Sequence, residues 1–301
     1  MKLGVGLPVS GSWATPDRIQ QIAVRAEELG YDSLWTFQRL LAFDGIGEPY
    51  RSVLDPLLPL AFVAATTWRI RLGVAVFNMP FAPPVLVAKQ LATLDVLSGG
   101  RVDAGLGTGW NELEFEAVGA SLGERGARAG EYVSVLRTLW TEAHPSFDGR
   151  FYKIGRAEFA PKPVQPRIPV LLGGTAPAAL RRAGRIADGW VSSSRADLTQ
   201  MGDSVRIVRE AAEKAGRDPE TIRLVCRGAV RLRPDRDPER PALSGTIEQI
   251  RSDLELLEEQ GMTELFFDLN FDPVVGSPDA DPQESMRIAT EVLDAFSPGR
   301  A

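Results

Sequence analysis

Residues 95–119, DVLSGGRVDAGLGTGWNELEFEAVG, hold the densest run of chemistry-bearing positions in this chain of 301 residues. Gly105, Gly107 and Gly109 stand directly after an apolar stretch. Glycines so placed leave backbone N–H groups bare and let a flat or phosphorylated ligand approach, although the same spacing also suits a plain tight turn. Trp110 and Asn111 add an aromatic plane and an amide. Glu112 follows; its carboxylate either moves a proton or sits there because a helix N-terminus favours negative charge. Elsewhere the chemistry is sparse. His144, in the loop TEAHPSF, is the sole histidine and Cys226 the sole cysteine. The histidine sets of metal hydrolases, a cysteine metal site and an internal disulfide are therefore excluded, and no metal is expected. Cys226 falls in the strand-like RLVCRGAV and reads as a small core residue.

Groups this scattered need a scaffold, and the hydrophobic periodicity supplies one. Short apolar strands are expected near 3–7, 33–36, 70–77, 102–106, 169–172, 189–192, 223–230 and 264–269. Amphipathic helices are expected near 16–29, 55–67, 83–97, 125–141, 176–187, 204–215, 246–260 and 282–296. Eight strand–helix pairs with nearly continuous apolar strands predict an α/β fold, a (β/α)8 TIM barrel, with ligands at the carboxyl ends of the strands. Thr15-Pro16-Asp17 reads as a helix start, and Gly30, Gly99, Gly216 and Gly261 as helix ends. Residues 146–166 break the alternation and read as an insertion between units four and five. The Pro- and charge-rich stretch 233–241 is short enough for a surface loop, so one domain over residues 1–301 is expected.

A net charge of −6 with dispersed arginines argues against a nucleic-acid partner. The start, MKLGVGLPVSGSW, lacks the apolar core of an export signal, and no apolar run is long enough to span a membrane. A cytoplasmic location is expected, with a small-molecule substrate and no membrane partner.

Seven motifs in order carry a resemblance: EELGYDSLW, LDPLLPLAFVAATTWRIRLGVAV, LATLDVLSGGR, GLGTGWNELEFEAVG, PKPVQ, PVLLGG and ADGW. Together they resemble the bacterial luciferase-like monooxygenase family, which includes flavin-dependent monooxygenases and oxidoreductases that use the deazaflavin coenzyme F420. The resemblance implies a TIM barrel, a homodimer, and a cofactor ring at the barrel mouth. It implies a cis peptide at Ala75–Val76 against that ring, and a phosphate cradle at Gly173, Gly174 and Thr175, where bare N–H groups at a helix N-terminus meet the anion. Ser193, Ser194 and Arg195 follow the sixth strand and are expected to serve the same phosphate. Trp13, Gln38, Arg39, Asn78, Trp110 and Asn111 are expected to crowd the mouth. Relatives often carry a histidine after the second strand; this chain has Gln38-Arg39. Arginine cannot act as acid or base there, but it can hold an anionic substrate or a reduced ring. The resulting expectation is hydride transfer between F420 and a small organic substrate. An FMN-dependent monooxygenase and a non-catalytic flavin binder are the competing readings.

Overall fold

In the computed structural model, eight parallel strands close on themselves. Residues 1–300 are described, so Ala301, where the expected domain ends, lies outside the described residues. The barrel strands are β1 (Lys2–Gly6), β2 (Ser33–Thr36), β3 (Arg71–Val74), β4 (Val102–Gly107), β5 (Val170–Gly173), β6 (Gly189–Val191), β7 (Arg223–Ala229) and β8 (Glu264–Asp268). They run around the barrel as β3-β2-β1-β8-β7-β6-β5-β4, and β4 returns to β3 through Leu72–Val102 and Gly73–Asp103. Helices follow in turn: α1 (Pro16–Glu28), α2 (Leu57–Ala64), α3 (Pro84–Ser98), α4 (Arg125–Thr141), α5 (Pro177–Ile186), α6 (Met201–Lys214), α7 (Ile247–Glu259) and α8 (Pro282–Ala295). The (β/α)8 barrel expected from periodicity is the fold.

Alternation along each strand sorts the side chains into two cores. Outward residues such as Leu34, Leu72 and Val170 join the layer under the helices. Inward residues Trp35, Ala75, Leu171, Val191, Val225 and Phe266 fill the barrel itself. Trp35 stacks on Phe266 at 5.1 Å, and Gly73 leaves its ring room, since a Cβ there would stand 2.4 Å from it. Below this layer Asp103 is fully buried between Arg71 (2.6 Å) and Arg223 (2.8 Å), and Arg223 also grips Glu264. Burial alone raises the Asp103 carboxyl, but the two guanidinium groups outweigh it and hold it below the ordinary range. The floor is thus ionic and closed, and the mouth is left to bind.

Local corrections have local causes. The stretch read as one strand over 70–77 is broken: β3 stops at Val74, the Ala75–Val76 peptide is cis, and Phe77–Asn78 resumes alongside Leu106 and Gly107. Thr15 occupies the N-cap position of α1, yet its hydroxyl accepts from the Arg18 guanidinium (3.3 Å) and caps no backbone N–H. Helix α2 spans only Leu57–Ala64 of the expected 55–67; at its start the Asp55 carboxylate takes the N–H groups of Leu57 and Leu58. In the insertion, Phe147–Asp148 pairs antiparallel with Lys153–Ile154 to form a short hairpin.

Candidate functional site

A cavity of about 470 Å3 opens at the carboxyl ends of the strands. Its base is set by the cis Ala75–Val76 unit, which hydrogen bonds hold on both sides: the Ala75 N–H donates to Thr36 O (2.7 Å) and its carbonyl accepts from Arg227 Nη1 (2.8 Å). Gln38 fixes the chain two residues further on by accepting the Asn78 N–H at 2.8 Å. The glycines of GLGTG make room for this crossing. A Cβ on Gly105 would lie 1.8 Å from the Val74 carbonyl oxygen, and one on Gly107 would lie 2.4 Å from a Val76 methyl. Gly105 therefore serves the backbone of β3; Gly107 both seats Val76 and lines the cavity.

Across the mouth, Gly173, Gly174, Thr175 and Ala176 lead from β5 into α5, a helix of 10 residues. Gly174 has φ +133°, which disfavours any side chain, and its carbonyl is pinned by the Trp190 indole N–H (2.8 Å). The N–H groups of Gly174, Thr175 and Ala176 have no acceptor among the described residues. Three bare donors at the start of a helix have the chemistry to receive an anion such as a phosphate. Ser193, Ser194 and Arg195 border it from β6, and Ser193 Oγ accepts the Arg195 N–H (3.2 Å).

The opposite wall is built on Arg39. This buried residue donates from Nη1 to Glu114 Oε2 (2.5 Å), while Glu114 Oε1 takes the Leu40 N–H (2.8 Å). The Arg39 guanidinium lies 4.5 Å from the Tyr50 ring centre and 4.9 Å from that of Trp110; Arg195 reaches the same indole at 5.3 Å. Strands β2 and β6 face each other across the barrel, so Trp110 joins side chains from opposite walls.

Three residues named from the sequence stand elsewhere. Glu112 is exposed and does not line the cavity: on the short helix Glu112–Ala117 it points away from Glu114, about 200° around the axis. Asn111 caps that helix, its amide oxygen accepting from Leu113 and Glu114 N–H groups, and also lies outside the lining. Trp13 is buried in the outer core. The residues that line the cavity from the expected set are Gln38, Arg39, Ala75, Val76, Asn78, Gly107, Gly109, Trp110, Gly173, Gly174, Thr175, Ser193, Ser194 and Arg195.

Arg227 and Tyr50 are among the lining residues that escaped the sequence reading. Arg227 is buried between Phe37 (4.6 Å) and Phe271 (4.4 Å) with Asp268 as its counter-ion; a lone charge inside the strand RLVCRGAV was the available signal. Tyr50 enters from a long loop with no pattern to mark it, and its hydroxyl forms no hydrogen bond among the described residues. The lining contains three arginines and Tyr50 but no His, Lys, Cys, Asp or Glu. Cys226 is fully buried and its thiol is pushed up to about 12 by burial, which makes it inert; His144 is exposed on its loop.

Comparisons with known proteins agree with this geometry. The family model described as luciferase-like monooxygenase matches residues 2–238. An uncharacterized protein of Mycobacterium tuberculosis is 39% identical over 178 residues, 58% of this chain and 62% of that relative's length, so the match spans less than two thirds of it. A protein of Amycolatopsis mediterranei named F420-dependent glucose-6-phosphate dehydrogenase is 32% identical over 251 residues, 81% of this chain and 73% of its own. Among solved structures, the monooxygenase RslO1 of Streptomyces bottropensis superposes with a TM-score of 0.82 at 25% identity, each chain covered in full.

Proposed function

The chain belongs to the luciferase-like monooxygenase family, and from that premise we propose that it is an oxidoreductase passing a hydride between coenzyme F420 and a small organic substrate. The observation that carries this reading is the cradle: three unpartnered N–H groups at the start of α5, on a glycine whose conformation excludes a side chain, beside Arg195. A phosphate-bearing flavin or deazaflavin fits that donor set, and the relative from Amycolatopsis is named for F420. When bound, such a cofactor supplies or accepts the hydride. Gly174, Thr175 and Ala176, with Ser194 and Arg195, would hold its phosphate; Val76, Gly107 and Asn78 would border its ring. Arg39, braced by Glu114, would orient an anionic substrate or the polar edge of the ring.

Hydride addition to a carbonyl or alkene also requires a proton. With Glu112 outside and no histidine or carboxylate in the lining, Tyr50 is the lining residue whose hydroxyl can give one up, and the Arg39 guanidinium over its ring offsets the charge left behind. A second reading, an FMN-dependent monooxygenase, draws on the likeness to RslO1 and would use the same cradle. The same proposal takes the protein to be cytoplasmic, without a nucleic-acid or membrane partner, and a homodimer. Among the described residues, no helix is long and apolar enough to cross a membrane.

Equilibrium titration of the purified protein with each cofactor, read by ring fluorescence, tests the assignment. F420 is expected to bind more tightly than FMN, because Arg195 meets a cofactor whose tail carries more negative charge. Micromolar binding of FMN with none of F420 reverses it.

A further inference from the structure

A second cavity, of about 340 Å3, lies beside the first and shares Ser194 and Arg227 with it. The chain builds it on leaving β7: Arg231–Leu232 pairs in parallel with Ser244–Gly245, and the excursion between them carries Arg240 back to the wall. The segment after β6, with Asp197 and Thr199, closes the other side.

Its charge is unusual for the molecule. The whole chain carries −6, yet the two joined cavities are lined by five arginines, Arg39, Arg195, Arg227, Arg231 and Arg240, and by the single carboxylate of Asp197. Three of these arginines are neutralised from behind, Arg39 by Glu114, Arg227 by Asp268 and Arg240 by Asp253. Asp197 is occupied locally by Thr199, through its N–H (3.0 Å) and hydroxyl (2.7 Å), and by Gln200 (3.0 Å). Arg195 and Arg231 have no ion pair and no side-chain hydrogen bond among the described residues. Arg195 borders the cradle; Arg231 lines only the second cavity, where Ser244 stands opposite it in the strand pair and Ser194 contributes to the same lining. An uncompensated guanidinium in a concave wall that also carries hydroxyls favours a carboxylate or phosphate, which it meets with two parallel N–H bonds.

We propose that this second cavity is an anion subsite, centred on Arg231, for a carboxylate or phosphate group of the ligand that enters the main cavity. That group belongs either to the substrate or to the tail beyond the cofactor's phosphate. The assignment to a substrate or a tail rests on the functional reading above, whereas the anion site itself does not.

Inorganic phosphate at constant ionic strength is the first probe, measured by equilibrium dialysis against wild type, Arg231→Glu and Arg231→Lys. Arg231 is exposed and its backbone N–H bond to Leu243 is untouched by these changes, so the variants keep the fold. Two phosphate sites are expected in the wild type; Arg231→Glu weakens one by about tenfold or more, the scale of one charge-assisted contact, and Arg231→Lys restores part of it. Repeating the titration with F420, with FMN, and with phosphate on cofactor-loaded protein separates the sources. Loss of F420 affinity with FMN unchanged assigns the site to the tail. Loss of phosphate binding on the loaded protein with both cofactor affinities unchanged assigns it to the substrate. Unchanged binding of phosphate and both cofactors in Arg231→Glu overturns the proposal and leaves Arg231 a solvated side chain. Should neither cofactor bind the wild type, the functional reading fails while the phosphate result still decides the subsite.

Discussion

Arg39 shows how a single residue can be read correctly in type and incompletely in setting. Its position after β2 in WTFQRLL was legible as a departure from the family; its counter-ion was not, because Glu114 lies 75 residues further on and is brought to it by folding. The pair is buried, so breaking it leaves a charge without compensation. Arg39→Ala is expected to lose about 3–5 kcal/mol of stability, and Arg39→Met combined with Glu114→Leu to regain much of it, as thermal unfolding will show. An unchanged melting curve in Arg39→Ala means that the pair contributes nothing. Tyr50 gives a separate test. Tyr50→Phe keeps the ring under Arg39 and removes only the hydroxyl, so cofactor affinity should hold while turnover of a carbonyl or activated-alkene acceptor falls roughly 100-fold. Wild-type turnover in that variant assigns the proton to solvent.

At the level of elements, the same residue type does different work in neighbouring turns. Gly105 admits the Val74 carbonyl, whereas Gly174 supplies a backbone conformation that other residues resist. Substitutions should therefore fail differently. Gly105→Ala drives a methyl into backbone between two barrel strands and is expected to cost several kcal/mol, seen as loss of soluble, folded protein. Gly174→Val acts after β5 has ended: it distorts the cradle, where even a Cβ would sit 2.6 Å from that of Ala179, and should weaken cofactor binding at least about tenfold while the barrel still melts cooperatively. Normal cofactor affinity in Gly174→Val places the phosphate elsewhere. The sequence marked both glycines as special. It could not say which one faces a ligand and which faces another strand, since that depends on where β3 crosses β4.

For the whole molecule, helices α2 and α3 pack together yet leave Leu58, Phe62, Val85, Leu86 and Leu97 exposed on the barrel's outside, with Trp68 exposed in the turn before β3, and the proposed homodimer is expected to form through this apolar surface. Sedimentation should give a dimer for the wild type and a monomer for Leu58→Asp with Phe62→Asp; a monomeric wild type removes the homodimer from the proposal. What the sequence by itself determined is the architecture: eight strand–helix pairs, their order and most of their limits follow from local periodicity and from glycine and proline stops, which need no distant partner. Through motif resemblance it also gave the place of the cis peptide at Ala75–Val76. Tertiary structure alone decided the company each functional group keeps. Helical phase made Glu114 and not Glu112 the inward carboxylate, and barrel closure set Arg195 and Arg39 against one indole. A loop without periodicity delivered Tyr50, and the return of the chain to pair Ser244–Gly245 with Arg231–Leu232 made the second cavity. These contacts join residues far apart in sequence, and no local rule of spacing encodes them.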